Sequence, residues 1–274
     1  MPVAVIVRNK NKDTDGIVTS RVCNALKDKY DVVCTDEKSG DGLCRLCESA
    51  DVAVVLGGDG TILNFASVSA GTDTPILGIN LGNMGFLSDV DLAEMEIMLE
   101  KFKNGDYITD ERFMIEAAVS RKDGETETFI ALNDVVFSRA SYKRMVAFDI
   151  LLDGKYVASY NGDGVVVATP TGSTAYSMSA GGPVADPSLD IFLITPICAH
   201  TFSAKPLVVP GKSEIQIRFC DTFDDMSILT VDGQSGCRVR NGDVITVRSA
   251  QKKARLIKVS GRSFYEILHK KFQG

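Results

Sequence analysis

Apolar residues follow two different patterns along this chain, and the change between them falls near residue 105. Before that point, short apolar runs alternate with segments whose apolar residues recur at helical spacing. These patterns predict strands at Val3–Val7, Asp31–Cys34, Val52–Leu56 and Ile76–Ile79, and helices at Asp15–Tyr30, Leu43–Glu48, Ile62–Ala70 and Asp91–Lys103. Apolar strands in alternation with helices predict a parallel sheet with helices on both faces.

After residue 105 the helical spacing nearly disappears, and short strand patterns follow one another at hairpin-like distances. The predicted strands are Phe113–Ser120, Thr128–Val136, Val146–Leu152, Tyr156–Tyr160, Val165–Ala168, Ile191–Ile194, Leu207–Val209, Ser213–Arg218, Ile228–Val231, Asp243–Val247 and Ala254–Lys258. Asp153-Gly154 between two of them is typical of a tight turn. The predicted fold class is therefore α/β plus all-β, with an antiparallel second region.

The end of the chain is helical again in its pattern. The segment Ser263–Phe272 places four apolar side chains on one side of a predicted helix, namely Phe264, Ile267, Leu268 and Phe272. A lone amphipathic helix must bury that side, and the α/β region offers a surface for it. We therefore expect an α/β domain over residues 1–105, a β domain over 106–260, and a helix over 261–274 that packs on the α/β domain.

Composition narrows the class of protein. With 274 residues, 45% of them hydrophobic and 24% charged, the chain resembles soluble globular proteins. Its net charge of −6 argues against broad binding to nucleic acid. The absence of a membrane-length apolar run and of a basic leader, together with an odd number of cysteines, predicts a cytoplasmic protein. Cys44 and Cys47 have metal-ligand spacing, but no second pair accompanies them and zinc needs four ligands.

The most informative motif is Leu56–Thr61, which reads Leu-Gly-Gly-Asp-Gly-Thr and joins a predicted strand to a predicted helix. Glycines at such a turn let the backbone approach a phosphate, and the helix start supplies N–H donors. Neither the usual dinucleotide fingerprint nor a Walker A loop is present. Because a carboxylate repels phosphate, Asp59 has a different role, which is to accept a proton, to hold a metal ion, or only to cap the next helix.

Four further segments are richer in glycine and polar residues than folding alone requires. Gly78–Leu87 follows a predicted strand, so it lies at the sheet edge where open α/β sheets bind ligands, and its Phe86 either stacks on a base or belongs to the core. The other three are Asn133-Asp134, Asn161–Pro183 and Asp232-Gly233-Gln234. Simpler interpretations are a glycine-rich turn for the first segment, a β-bulge for the Asn-Asp pair and a hairpin turn for the last.

Taken in order, these segments resemble the NAD kinase family over nearly the whole chain. The run Gly57–Thr61 is similar to a motif shared by NAD kinases, diacylglycerol kinases and 6-phosphofructokinases. The remaining segments, together with Thr195–Pro206, point to NAD kinase among them. The resemblance implies a Rossmann-like α/β domain and a β-sandwich domain, with the end of the chain returning to the first. It also implies transfer of a phosphoryl group from ATP, or another phosphorylated donor such as polyphosphate, to the adenosine 2′-hydroxyl of NAD. NADP is the product.

The resemblance also assigns roles to residues. Asp59 would be the proton acceptor, and Asn133 and Asp134 would hold the adenosine part of NAD. Further ligand contacts are implied at Gly58, Gly60, Thr61, Asn64, Phe86, Arg144, Asn161, Asp163, Thr174, Ala175, Tyr176, Ser177, Met178, Ser179 and Gln234. Mg²⁺ or another divalent cation would accompany ATP, without a dedicated metal site in the protein. The family's dimers and tetramers imply a homodimer or homotetramer. The acidic net charge and the lack of an apolar amphipathic membrane face predict neither nucleic acid nor membrane as a partner.

Departures from the family pattern and two other functions bear on this interpretation. Asp134 stands where many members have glutamate, Asn161 where a basic residue is frequent, and Asn83 where Arg, Lys or His is common. These differences concern the handling of ligand phosphates and the choice between NAD and NADH.

The alternative functions are a non-catalytic nucleotide-binding regulator and a lipid or sugar-phosphate kinase of the same superfamily. Retention of Asp59 argues against the first, and the Thr169–Ser179 segment argues against the second.

Overall fold

A computed structural model describes residues 1–36, 40–82, 84–141, 144–200, 204–219 and 227–273. The chain divides into two compact units, one formed by residues 1–112 and 252–274 and the other by residues 113–251. These limits differ from the division at residues 105 and 260 that the patterns predicted. Two strands, Ile108–Arg112 and Ala254–Lys258, account for the difference, because both join the sheet of the first unit.

The first unit is built on a mostly parallel sheet. Its strands are β1 (Val3–Arg8), β2 (Asp31–Thr35), β3 (Val52–Gly57), β4 (Ile76–Asn80), β5 (Val90–Asp91), β6 (Ile108–Arg112) and β19 (Ala254–Lys258). Their order is β2-β1-β3-β4-β19-β6, with β5 paired to β4. Strands β1 to β4 are parallel to one another, β19 pairs with β4 in parallel at Leu256 and Ile76, and β6 runs antiparallel to β19. The Rossmann-like parallel α/β domain is thereby confirmed.

Helices lie between the strands of this unit in the chain, and the last one follows β19. They are α1 (Ile17–Leu26), α2 (Asp41–Glu48), α3 (Asp59–Thr72), α4 (Met95–Lys103) and α6 (Phe264–Gln273). On one face, Leu26 of α1 and Leu99 of α4 share a core with Ile6, Val54 and Leu77 of the strands, and all five are fully buried. Each such side chain stabilises the fold by about 1.5–3 kcal/mol relative to an exposed position. Within the described residues, no helix is both long and apolar enough to cross a membrane.

The terminal helix α6 packs on the first unit, as the sequence predicted. The Phe264 ring lies 5.9 Å from the Phe86 ring, and Ile267 is buried. Phe272, which the helical spacing assigned to the same apolar side, is 62% exposed. That expectation was wrong because Phe272 lies in the last turn of the helix, and Ile267 is the residue of α6 that becomes buried.

The second unit is an antiparallel β-sandwich. Its strands are β7 (Ile115–Ser120), β8 (Thr126–Ala131), β9 (Asp134–Arg139), β10 (Val146–Leu152), β11 (Lys155–Gly162), β12 (Gly164–Ala168), β13 (Ile191–Ile197), β14 (Leu207–Pro210), β15 (Ile215–Phe219), β16 (Ser227–Val231), β17 (Gln234–Val239) and β18 (Val244–Ser249). One sheet has the order β11-β10-β15-β18-β7-β8 and the other β14-β13-β12-β9-β16-β17. Their inner faces share one core, in which Phe137 of one sheet packs edge-on against Phe148 of the other.

One predicted strand of this unit is two strands. The segment Thr128–Val136 was expected to be continuous, but the chain turns at Leu132 and Asn133, and β8 and β9 belong to different sheets. The polar Asn133-Asp134 pair marks this crossing between sheets, not a β-bulge within one strand. Between β12 and β13 the chain forms a 3-10 turn, Thr171–Thr174, and a one-turn helix α5, Tyr176–Ser179.

Candidate active site

The carboxylate of Asp59 is held by the glycine-rich segment that follows the next strand. Gly58 occupies the N-cap position of α3 with no side-chain cap, and Asp59 lies in the first helical turn. Its carboxylate oxygens accept hydrogen bonds from the backbone N–H groups of Phe86 at 2.7 Å, Leu87 at 3.1 Å and Ser88 at 3.4 Å. Asp59 is therefore not the helix cap that the simpler interpretation expected, and its carboxylate is fixed in one orientation.

Gly85 makes this arrangement possible. A Cβ atom at residue 85 would lie 1.7 Å from Asp59 Oδ1, so no other residue type fits beside the carboxylate without displacing it. Gly85 of the Gly78–Leu87 segment thus has a defined purpose, which is close approach of the backbone to a carboxylate.

The far side of the same loop is anchored to β19. Asp89 Oδ2 accepts hydrogen bonds from the N–H groups of Val259 at 2.6 Å and Ser260 at 2.8 Å. The Lys258 ammonium lies 3.5 Å from the Leu87 carbonyl oxygen and 3.7 Å from Asp89 Oδ1. Burial lowers the pKa of Lys258, and the nearby Asp89 carboxylate opposes that effect. A strand from the end of the chain therefore positions the loop that holds Asp59.

Two polar residues after β1, Asn9 and Lys12, also reach this edge, and sequence reasoning missed both. The Lys12 Nζ atom lies 2.9 Å from the position of a Cβ atom at Gly58 and 3.6 Å from that at Gly82, so the ammonium occupies the space above both glycines. Asn9 Nδ2 donates to Thr61 Oγ1 at 2.9 Å. The available signal was their place directly after an apolar strand, at the edge where the glycine motif lies.

The other site residues predicted in the first unit lie at the same turn or on its loop. Gly60 is exposed, Asn64 is half-buried and Thr61 is buried. Phe86 is half-buried, with its ring under the Lys271 ammonium at 5.2 Å and beside Phe264. A cavity of about 630 Å³ adjoins this loop and is lined by Gly82, Met84, Asp91, Ala93, Ile267, Lys270 and Lys271. Asn83 lies outside the described residues.

In the second unit, the turn between β8 and β9 is held by another carboxylate. Asp232 accepts hydrogen bonds from the N–H groups of Leu132 at 2.8 Å, Asn133 at 2.7 Å and Asp134 at 3.1 Å. Asp232 and Gly233 form the two-residue hairpin turn between β16 and β17, both with positive φ, so the simpler interpretation of this segment is correct. The hairpin also has a second role, which is to fix the Asn133-Asp134 pair.

Asp134 is an unusual carboxyl group. It is 4% exposed, and burial together with the nearby negative charge of Asp232 raises its pKa to about 7. Burial likewise raises the pKa of Asp232, although its three N–H donors oppose the effect. Strongly shifted carboxyl groups of this kind are frequent at functional sites.

The segment Thr169–Ser179 packs directly on this pair. The Thr169 N–H donates to the Asn133 carbonyl oxygen at 2.8 Å, and Thr169 Oγ1 donates to the Leu132 carbonyl oxygen at 2.6 Å. A Cβ atom at Gly172 would lie 2.1 Å from the Asn133 carbonyl oxygen, which requires glycine there.

Within this segment the side chains divide into accessible and buried ones. Tyr176 is 46% exposed, and burial together with the nearby Cys198, Asp163 and Asp134 raises its pKa. Ser177 is fully buried, and its hydroxyl is hydrogen-bonded to that of Thr195 at 3.0 Å. Its side chain is therefore used inside the protein, and only its backbone could contact a ligand. Ser179 is exposed, whereas Thr174, Ala175 and Met178 are half-buried.

A cavity of about 570 Å³ collects further predicted residues of this unit. It is lined by Arg139, Arg144, Met145, Asn161, Asp163, Cys198 and His200. Arg139, which sequence reasoning did not name, forms an ion pair with Asp163 at 2.8 Å. Gln234 is exposed at the start of β17. The loop residues 201–203 lie outside the described part of the chain. Within that part, no three His, Cys, Asp or Glu side chains are grouped as they would be to hold a metal ion.

Comparison with known proteins decides the family. The model for the ATP-NAD kinase N-terminal domain matches residues 40–107, and the model for the ATP-NAD kinase C-terminal domain matches residues 132–259. The chain belongs to the NAD kinase family. The predicted site residues Asp59 and Phe86 lie in the first matched range, and those from Asn133 to Gln234 lie in the second, whereas Lys12 precedes both.

Individual NAD kinases are similar over almost their full length. The chain is 41% identical to the NAD kinase of Carboxydothermus hydrogenoformans and 40% identical to that of Caldanaerobacter subterraneus subsp. tengcongensis, in both cases over 97% of each chain. Among solved structures, an NAD kinase from Archaeoglobus fulgidus in complex with ATP superposes with a TM-score of 0.77 at 30% identity, covering 98% of each chain. Yeast NADH kinase complexed with NADH shares the fold, with a TM-score of 0.87 at 24% identity and coverage of 99% of this chain and 88% of the other.

Proposed function

We propose that this chain transfers the terminal phosphoryl group of ATP, or of another phosphorylated donor such as polyphosphate, to the adenosine 2′-hydroxyl of NAD, and so makes NADP. The observation that carries the proposal is the Asp59 carboxylate. Asp59 lies at a glycine-rich strand-to-helix turn, and three N–H groups of the loop after β4 hold its carboxylate. The chain that carries it belongs to the NAD kinase family. A protein that only binds nucleotides has no use for a proton acceptor beside phosphate.

Asp59 has the role of proton acceptor. A carboxylate has about four lone-pair sites, so three N–H bonds leave capacity for the hydroxyl. Because the N–H groups fix its orientation, the hydroxyl meets the acceptor in one geometry. The proton passes from the 2′-oxygen to Asp59 as the oxygen–phosphorus bond forms, while the bond to the leaving phosphate breaks and that phosphate keeps the electron pair. Phosphoryl transfer depends mainly on such positioning and on charge stabilisation.

The donor phosphates are assigned to the N-terminus of α3, under Lys12. Helix N-termini favour anions, and the Lys12 ammonium lies over Gly58 and Gly82 at the same place. No carboxylate among the described residues forms an ion pair with Lys12, so its charge is available to phosphate. Mg²⁺, or another divalent cation, would be bound together with the donor and would supply positive charge to its phosphates. Asp59 is the carboxylate of this chain in the first turn of α3, where the donor phosphates are assigned.

The dinucleotide is assigned to the second unit. Asn133 and Asp134 would hold the adenosine, and Tyr176 offers a flat face for stacking. The 570 Å³ cavity, with its Arg139–Asp163 ion pair, suits the phosphates and remaining sugar hydroxyls of NAD. The other contacts proposed from the family resemblance are Arg144, Asn161, Thr174, Ala175, Ser177, Met178, Ser179 and Gln234.

The Asp59→Asn variant tests the proposal. NADP formed from NAD, ATP and Mg²⁺ is measured with a NADP-specific dehydrogenase. The variant keeps its shape but cannot take the proton, so we expect it to fold, to bind NAD, and to lose at least about a hundredfold in kcat. Asp73→Asn is the matched control. It lies at the opposite end of the same helix in a left-handed conformation that asparagine tolerates, and it should keep full turnover.

Each alternative has its own outcome. A wild-type protein that binds NAD but forms no NADP with ATP or polyphosphate would be a nucleotide-binding regulator. Phosphorylation of a lipid or sugar phosphate in place of NAD would indicate another kinase of the superfamily. An Asp59→Asn variant with near-normal kcat would leave Asp59 only the role of holding the Phe86 loop.

Lys12→Met tests the donor site separately. Loss of a charged phosphate contact should raise the KM for ATP about tenfold or more, with little change in the KM for NAD. Lys10→Met is the matched control, because Lys10 lies two residues away and pairs with Asp36 at 2.8 Å on the surface. Equal effects of the two substitutions on the KM for ATP would contradict the assignment of Lys12.

A further inference from the structure

Two cysteines outside the candidate site are in direct contact. Cys23 on α1 and Cys34 on β2 have their Sγ atoms 3.2 Å apart, and both are free thiols. An S–S bond is about 2.05 Å long, so the sulfurs need to approach by about 1.1 Å. Side-chain rotation can supply a movement of that size.

The contact depends on a short stretch of chain. Helix α1 and strand β2 are consecutive elements, joined by the four residues after Leu26, and the two cysteines are 11 positions apart. Strand β2 is the edge strand of its sheet, with Cys34 opposite Ile6 of β1. Cys34 is exposed and Cys23 is partly exposed, so neither side chain is completely enclosed by packing.

Access and chemistry differ between the two thiols. Cys34 is exposed, so a dissolved oxidant can reach the pair, whereas Cys23 is partly buried against the core of the first unit. Burial and the hydrogen bond with Cys23 raise the pKa of Cys34 to about 12. Because the two sulfurs are in contact, either one can attack an oxidant while its neighbour is already placed to close the disulfide.

The other described cysteines lack this geometry. Cys44 and Cys47 lie on the single helix α2, and burial raises the pKa of Cys47 to about 11. Across the described residues, Cys23 and Cys34 form the cysteine pair whose sulfur atoms are within contact distance. Cys44 and Cys47 thus offer a comparison pair within the same unit.

We propose that Cys23 and Cys34 are a modification site, at which a hydroperoxide oxidises the two thiols to an intramolecular disulfide that a dithiol reverses. One of the two sulfurs attacks the peroxide, the O–O bond breaks, the thiol proton passes to the leaving oxygen, and an alcohol or water leaves, so that this cysteine becomes a sulfenic acid. The sulfur of the other cysteine then attacks that sulfur, the S–O bond breaks, and the proton of the second thiol leaves with the hydroxide as water. The thiols lose two protons and two electrons in all, and the peroxide takes them up.

The disulfide constrains the unfolded chain. It closes a loop of about a dozen residues, and such cross-links stabilise mainly by reducing the freedom of the unfolded state. The oxidised first unit should therefore melt several degrees higher than the reduced one.

The test is peptide mapping of the full chain after treatment with hydrogen peroxide and alkylation of the remaining thiols. Trypsin cuts after Lys27 and Lys29, so the disulfide links the peptide Val22–Lys27 to the peptide Tyr30–Lys38. We expect this linked pair, an intact mass lower by about two hydrogens before alkylation, and recovery of both peptides after dithiothreitol. The Cys44→Ser/Cys47→Ser variant should give the same result.

Thermal unfolding of Cys34→Ser supplies an independent readout. This variant should fold and show no difference in Tm between oxidised and reduced samples, whereas the wild type should show one. The proposal is overturned if peroxide leaves all seven cysteines open to alkylation, if Cys23 or Cys34 proceeds to sulfinic acid without forming the linked peptides, or if the disulfide maps to another pair.

Discussion

At the scale of single residues, each unit contains an aspartate that accepts hydrogen bonds from three backbone N–H groups. Asp59 fixes the Phe86 loop in the first unit, and Asp232 fixes the Asn133 turn in the second. In both places a carboxylate accepts hydrogen bonds from N–H groups in or next to a loop, and so fixes the loop. The two aspartates differ in the role we propose for them, because Asp232 positions the backbone of Asp134 whereas Asp59 is itself assigned to the reacting hydroxyl.

The shifted pKa of Asp134 predicts how stability depends on pH. The folded state holds a proton up to about pH 7, whereas the unfolded chain releases it near pH 4. The contribution of Asp134 to the free energy of unfolding therefore falls as pH rises from about 4 to about 7, and stays constant above that. The variant Asp134→Asn lacks this dependence, so its stability relative to wild type should increase across the window. Urea unfolding at several pH values measures this, and a difference that does not change with pH would contradict the assignment.

At the scale of elements, the end of the chain supports the site of its first unit. Strand β19 joins the sheet beside β4 and holds Asp89, while α6 packs Phe264 against Phe86. Both elements are distant in sequence from the glycine motif that they support.

Phe264→Ala should therefore lower the free energy of unfolding of the first unit by about 1–3 kcal/mol, since it removes a partly buried ring from the Phe86 contact. Phe272→Ala on the same helix removes an exposed ring and should change it by less than about 0.5 kcal/mol. Thermal and urea unfolding distinguish the two variants. Equal stabilities would mean that α6 contributes nothing to the fold at Phe264.

At the scale of the whole molecule, family membership predicts assembly. We expect a homodimer or homotetramer, as the family resemblance implies. Light scattering at assay concentration, combined with activity, measures this. A fully active monomer of about 29.5 kDa would contradict the prediction. The cytoplasmic location and the choice between NAD and NADH also stay predictions.

The sequence by itself determined the local structure and the nature of the chemistry. Apolar spacing is a local property, so the strands at Val52–Gly57 and Val146–Leu152 and the helix at Asp59–Thr72 were foreseen within a few residues. The glycine-rich motif with Asp59 was equally visible, because the turn residues and the carboxylate that make it useful are adjacent in the chain.

Tertiary structure alone decided which distant groups meet. The apolar pattern of the strand Ala254–Lys258 suits a sheet of either unit. Only its pairing with the strands that contain Ile76 and Arg112 assigns it to the sheet of the first unit. The pKa of Asp134 depends on Asp232, 98 positions away, and Lys12 reaches Gly58 only because parallel strands end at one edge. Local patterns encode local conformation, whereas the neighbours of a side chain depend on the path of the whole chain, which no single segment specifies.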